Sequence, residues 1–167
     1  MIGYAKAEQV RKQVSMTDKN NRLSRFGFSF ERGGAHIART MMLAELEMLL
    51  ACVDNPETDN STYRQLITDN NCLGKRSAKT RALTYRHLAD LYALDRTIIL
   101  FRSLVYFWNR DPEGRPLLAL ICAYARDPIL RSTAPYILKF PEGASVSREA
   151  LEDFIDSLDA GRFSKAT

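Results

Sequence analysis

Five cations stand within twelve positions of this chain, at Lys75, Arg76, Lys79, Arg81 and Arg86, and the first acid to follow them is Asp90. Lysine and arginine at this density suit one kind of chemistry: they neutralise phosphate oxygens, and each phosphate neutralised releases counterions. The plainer alternative is a surface helix that is merely cationic. The spacing helps to choose between the two. With Lys79 placed at zero on a helix of about 100° per residue, Arg86 falls at about 340° and Asp90 at about 20°. Leu94, Leu91 and Leu88 fall at about 60°, 120° and 180° and form the stripe predicted to be buried, with Leu83 at its border near 40°. Arg81, at about 200°, lies in the first turn, where that stripe is not yet expected to bury.

These side chains need an element to hold them. A helix over 78–93 is predicted, with Ser77 as its N-cap. A shorter helix over 62–70 precedes it, and "NNCLGKRS" supplies a turn around Gly74. A short helix, a turn and a longer helix with cations at its leading end form the outline of a helix-turn-helix. Cations in a first turn oppose the helix dipole by a few tenths of a kcal/mol each, roughly, so a gain elsewhere is implied. No Asn or Gln accompanies them within the helix, so a grip on the DNA backbone is expected rather than base reading. Ser77 belongs to this candidate site. Arg22 and Arg25, with Arg11 and Lys12, add a second backbone contact from a basic arm.

The arm is taken as residues 1–25, mobile or ordered only on a partner, with a short helix in "YAKAEQVRKQV" and loop in "SMTDKNNRLSR". Residues 26–167 form a single helical domain. "FGFSF" alternates like a strand remnant, and apolar spacing from Ile37 to Val53 predicts a long amphipathic helix. Further helices are expected over 96–109 (capped by Asp95, with Ile98, Ile99, Leu104, Val105, Phe107 and Trp108 inward), over 117–124, and in one or two short pieces near Pro135. The last is an acidic helix after Ser147, stopped by Gly161. The fold class is therefore all-α, a bundle of about seven helices. "GRFSKAT" places a potential cap, Ser164, just before the final residue, so a longer natural chain is expected.

Catalytic constellations are missing. His36 and His87 stand apart from cysteines and carboxylates at metal spacing, and no phosphate loop, dinucleotide fingerprint or nucleophile elbow occurs. "RGGA" at 32–35 reads as a tight turn before a helix rather than an anion cradle. Neighbouring carboxylates such as Glu45 and Glu47, or Asp153 and Asp156, read as solvated faces. No enzymatic role, metal or cofactor is expected.

The bulk composition bounds the class. The 167 residues carry a formal charge of +4, and the charge is segregated. Residues 1–40 hold eight basic and three acidic side chains, 41–72 hold one and six, and 141–167 hold three and six. Such blocks build a basic face and an acidic face on one fold. The three cysteines, Cys52, Cys72 and Cys122, form no CxxC, and Cys52 and Cys122 read as small buried hydrophobes. A reducing, cytoplasmic setting fits them. "TIILFRSLVYFW" is too short to span a bilayer and is broken by Arg102, so no membrane association is expected.

Three segments, "FSFERGGAHIARTMMLAELEML", "NNCLGKRSAKTRALTYRHLADLYALD" and "LLALICAYARDPILR", resemble the BrxA family of the bacteriophage exclusion (BREX) phage-defence systems. The resemblance covers most of residues 26–165. It implies a small all-helical protein, related in shape to the NusB antitermination proteins, that binds double-stranded DNA beside other defence subunits. It also implies a further helical segment past the position of Thr167. Carried over by position, Lys75, Arg76, Lys79 and Arg81 would face DNA. Two other readings stay open: an adaptor that docks proteins through the acidic helix 147–160 and the arm, and a NusB-like RNA binder. The oligomeric state is left open by the residues.

Overall fold

The computed structural model describes residues 17–30, 41–53 and 59–158. Eight helices and no strand occur among the described residues, in agreement with an all-α bundle of about seven. They are α1 (17–26), α2 (Leu43–Ala51), α3 (Asn60–Thr68), α4 (Ala78–Tyr92), α5 (Ile99–Trp108), α6 (Arg115–Arg126), α7 (Pro128–Ile137) and α8 (Arg148–Leu158).

Short polar side chains set four of the helix starts. The Asp59 carboxylate accepts from the Thr62 amide at the head of α3, and Ser77 Oγ accepts from the Thr80 amide at the head of α4. Asp127 accepts from Ile129 and Leu130, with Pro128 occupying the position whose amide would have no partner. Ser147 accepts from Ala150, as the sequence predicts.

Helix α4 packs against α3 on one side and α6 on another; α6 also meets α5 and α7, and α8 reaches only α7 among the principal contacts. Leu46 and Leu49 of α2, Tyr63 and Ile67 of α3, Leu88, Leu91 and Tyr92 of α4, and Phe101, Leu104 and Trp108 of α5 bury together. Tyr63 meets Phe101 edge to face, with ring centroids 5.4 Å apart. Helix α6 enters this core with Ala119, Cys122 and Ala123. Small inward residues let helix axes approach closely, which suits an element packed by neighbours on several sides.

Several expectations need correction. Residues 17–25 are helical, not loop: Gly27, at φ +109°, closes α1 through bonds from Gly27 to Ser24 and from Phe28 to Leu23. A left-handed glycine cap outweighs the weak helix preference of Asn and Ser in the segment. The strand-like "FGFSF" is the end of α1, that turn, and an extended stretch whose Ser29 amide bonds Ala125 of α6. Helix α2 starts only at Leu43, because the buried Met42 is left-handed at φ 50°. Asp95 holds a turn rather than a helix start, accepting from the Thr97 amide at 2.8 Å, so α5 begins at Ile99. Ile99 and Phe107 are exposed, not inward. A single helix, α7, contains Pro135. The arm through residue 16, the 32–35 turn, Ile37 and Gly161 lie outside the described residues.

Candidate nucleic-acid interface

The cationic stretch begins in a rigid turn. Asn71, left-handed at φ 53°, accepts from the Gly74 amide through its carbonyl and from the Lys75 amide through its side chain, at 2.9 and 2.8 Å. Asparagine tolerates this conformation better than most residues because its short amide can bond locally. The turn sets the position of Lys75, Arg76 and Ser77 relative to α4.

From there the predicted residues divide. Arg76, Lys79 and Arg86 are exposed. Lys79, Leu83, Arg86 and Asp90 share the outward side of α4, opposite Thr84, His87, Leu88 and Leu91. Lys75 is half-buried, and its ammonium lies 3.1 Å from the Glu45 carboxylate of α2. Its charge is thus compensated within the molecule. The Ser77 hydroxyl is committed to the helix cap. Arg81 turns inward: its side chain is half-buried, and its Nε is enclosed with no hydrogen-bond partner. The long aliphatic stem of arginine permits this by lying along apolar surface.

Arg22 and Arg25 are exposed on α1, whose closing turn lies near the end of α4. Arg126 fixes that relation. Its guanidinium donates to the carbonyls of Ala89 and Asp90 near the end of α4, and to Gly27 just after α1. Ser77 and Asp90 are thirteen positions apart, which is about 20 Å along a helix at 1.5 Å per residue. Lys79 and Arg86 therefore share the outward side of α4, with the exposed Arg76 just before its start, and Gly27, which closes α1, lies near the end of the helix.

One cation escaped the sequence reading. Arg64 of α3 is exposed, with its guanidinium 6.0 Å from the centre of the Tyr85 ring of α4. Asn60 of α3 donates to Leu94 at 3.2 Å, beyond the end of α4, and accepts from Tyr85 at 2.9 Å. The start of α3 thus lies beside the end of α4, and the two run antiparallel. Only this pairing places Arg64 beside α4; no local pattern reveals it. The connection between them, residues 69–77, exceeds the three to four residues of a typical DNA-reading turn.

The "ARDPILR" stretch also has a structural account. Arg126 grips three carbonyls, Asp127 and Pro128 start α7, and Arg131 donates to Ala125 and Ser29 while lying over the Phe30 ring. Burial lowers the pKa of both arginines from the usual value. These groups tie helix ends together.

Among the described residues, no group of three or more His, Cys, Asp or Glu could hold a metal ion. No described helix is long and apolar enough to cross a membrane. No protein-family model matches the chain, and neither a curated protein nor a solved structure matches it.

Proposed function

We propose that the protein is a non-enzymatic DNA-binding component of a bacterial anti-phage (BREX) system, which grips the phosphate backbone through the start and outward side of α4. The observation that carries the reading is the exposure of Lys79 and Arg86 on that side, with the exposed Arg76 just before the helix and Arg64 of α3 against Tyr85 of α4. The BrxA resemblance supplies the biological setting. Within this reading Arg76, Lys79 and Arg86 make the contacts, Lys75 and Ser77 shape the entry, and Arg81 supports the helix from within. Arg22 and Arg25 on α1 serve a separate contact. The antiparallel α3–α4 pair presents a cationic flank rather than an inserted recognition helix, which favours sequence-tolerant binding.

The test is duplex binding by fluorescence anisotropy across a salt series, with wild type and an Arg76→Glu/Lys79→Glu/Arg86→Glu variant. Each lost phosphate contact reduces the slope of log K against log salt by about 0.9. A folded triple variant with unchanged affinity and slope would sink this assignment. Competition with structured RNA separates the duplex from the RNA reading.

A second reading, an adaptor subunit, is favoured by a different observation. The acidic helix α8 has no fully buried residue, and Leu158 is exposed at its end. Capture of defence subunits by the protein, lost in an α8 deletion and accompanied by no DNA affinity at low salt, would favour it over the first.

A further inference from the structure

Three side chains expected to face inward are exposed: Cys52, Ile99 and Phe107. Cys52 closes α2 as its C-cap, whereas Ile99 and Phe107 belong to a larger surface on α5. With Arg102 at zero on a helix of about 100° per residue, Tyr106 falls at about 40° and Ile99 at about 60°. Ser103 follows at about 100° and Phe107 at about 140°. All of these are exposed, and Phe101, Leu104 and Trp108 are buried on the opposite side. The Tyr106 and Phe107 rings meet edge to face with centroids 5.0 Å apart, and 52% of Tyr106 and 49% of Phe107 stay open to solvent. The Arg110 guanidinium lies over the Tyr106 ring, 3.7 Å from its centre, and its Nη1 donates to the Tyr106 carbonyl at 2.8 Å. The Arg110 amide also donates to the Phe107 carbonyl at 2.9 Å, which holds this residue beside the rings.

The charge on this surface has one sign. Helix α5 contains no Asp or Glu, and among the described residues neither Arg102 nor Arg110 takes part in an ion pair. The next acids, Asp111 and Glu113, lie in the turn before α6, and Asp111 spends a carboxylate oxygen on the Gly114 amide. Open rings between two cations suit a chain of phosphates that also carries planar groups, which is a nucleic-acid strand with unpaired bases. The bases of a duplex are already stacked on their neighbours and leave such rings nothing to cover. We propose that the outward side of α5 binds single-stranded nucleic acid, with bases stacked on Phe107 and on the Arg110–Tyr106 layer and phosphates held by Arg102 and Arg110. Arginine serves both parts, because its plane stacks while its edge donates to phosphate. Arg102 and Arg110 are eight positions apart, about 12 Å along a helix axis. That spans roughly two or three nucleotides of a strand opened beyond the 3.4 Å per phosphate of a duplex. Asp111 and Glu113 repel phosphates from the following turn and so direct the strand along α5. The site is separate from the duplex contact on α4 and does not depend on it.

The experiment follows the fluorescence anisotropy of labelled oligo(dT) and oligo(rU), each of about twelve nucleotides, with the full chain at low salt. Binding of either strand is expected, weakened about fivefold or more by Phe107→Ala and by Tyr106→Ala, and the tighter strand shows which nucleic acid the site takes. Phe107→Trp keeps a flat ring and should bind at least as tightly as wild type. Phe107→Leu is apolar but not flat, and should lose as much as the alanine variant. Arg102→Glu should reduce the slope of log K against log salt by about 0.7. Duplex affinity should be unchanged in Phe107→Ala and Phe107→Leu, so this site and the α4 flank can fail separately. Equal affinity for the strand in wild type, Phe107→Ala and Tyr106→Ala would overturn the proposal, because charge alone would then explain binding. Absence of binding to both strands would do the same. So would sedimentation in which the wild-type chain is a dimer and Phe107→Ala a monomer, since the rings would then serve a second copy of the chain.

Discussion

The α3–α4 hairpin and the α6–α8 end of the molecule arrange the same kinds of residue in opposite ways. In the hairpin, large apolar side chains face the core and charges face solvent: Tyr63, Ile67, Leu88 and Leu91 are buried, while Arg64, Lys79 and Arg86 are exposed. Helix α6 inverts this by size. Ala119, Cys122, Ala123 and Ala125 face inward, and Leu117, Leu120, Ile121 and Tyr124 are exposed. Hydrophobicity alone therefore does not tell the inner face of α6 from the outer one. The difference shows which region is held by apolar burial and which by polar clamps.

If clamps hold the second region, the largest effect should come from Arg126. Arg126→Ala leaves the carbonyls of Gly27, Ala89 and Asp90 without this donor. Hydrogen bonds to a charged group contribute about 1.5–3 kcal/mol each and are not additive, so a loss of about 3 kcal/mol is expected in urea denaturation. A loss below about 1 kcal/mol would mean that apolar packing carries this end too.

Asn60 is the corresponding polar link in the hairpin. It takes up the carbonyl of Leu94, where α4 stops with Ala93 at φ 69° and Leu94 at φ 50°. Two non-glycine residues in this region cost about 1–2 kcal/mol each, offset in part by burying Leu94 completely. Asn60→Ala should lower stability by about 2 kcal/mol, including the loss of the Tyr85 bond. Equilibrium denaturation followed by circular dichroism checks the size.

A smaller effect, with a pH signature, belongs to the α3 cap. Hydrogen bonds from the Thr62 hydroxyl and amide, and from Ser61, hold the Asp59 carboxyl below its ordinary value of 3.8. A depressed carboxylate contributes stability above its unfolded pKa and loses it as pH falls through the folded value. The stability difference between wild type and Asp59→Asn should therefore be constant from pH 7 to about 5 and change only below about pH 4. Denaturation at a series of pH values measures it, and a change centred near neutrality would assign the cap another role.

The hairpin was the more legible of the two regions, for a physical reason. Caps are local chemistry, so Ser77 and Ser147 can be read from a few residues, and the 3.6-residue period finds Leu88, Leu91 and Leu94. Partners distant in the chain leave no such trace. Nothing near Lys75 announces that Glu45, thirty positions earlier, compensates its charge. Arg81 is a different case. It falls about 20° from Leu88 on the helical wheel, so its inward turn is legible once the first turn of α4 is allowed to bury. Helix α1 was obscured because propensity in "SMTDKNNRLSR" and the cap at Gly27 point in opposite directions. In α6, an apolar residue at nearly every position erases the contrast that a periodicity reading needs.

That same uniformity gives the comparison its finest test. If the outer stripe of α6 contributed to the fold as the hairpin leucines do, removing it would cost several kcal/mol. Leu117 is 61% exposed, so its methyl groups gain little from folding and lose little on replacement. Leu117→Ser combined with Ile121→Ser should change stability by no more than about 0.5 kcal/mol per site. Leu88→Ala, one buried side chain in the hairpin, should cost about 2–5 kcal/mol. Urea midpoints measured side by side decide the matter. If the double serine variant falls as far as Leu88→Ala, the stripe belongs to the folding core. If it holds, α6 is kept in place by its small inward residues and by Arg126, and its large outward residues are spared from any part in stability.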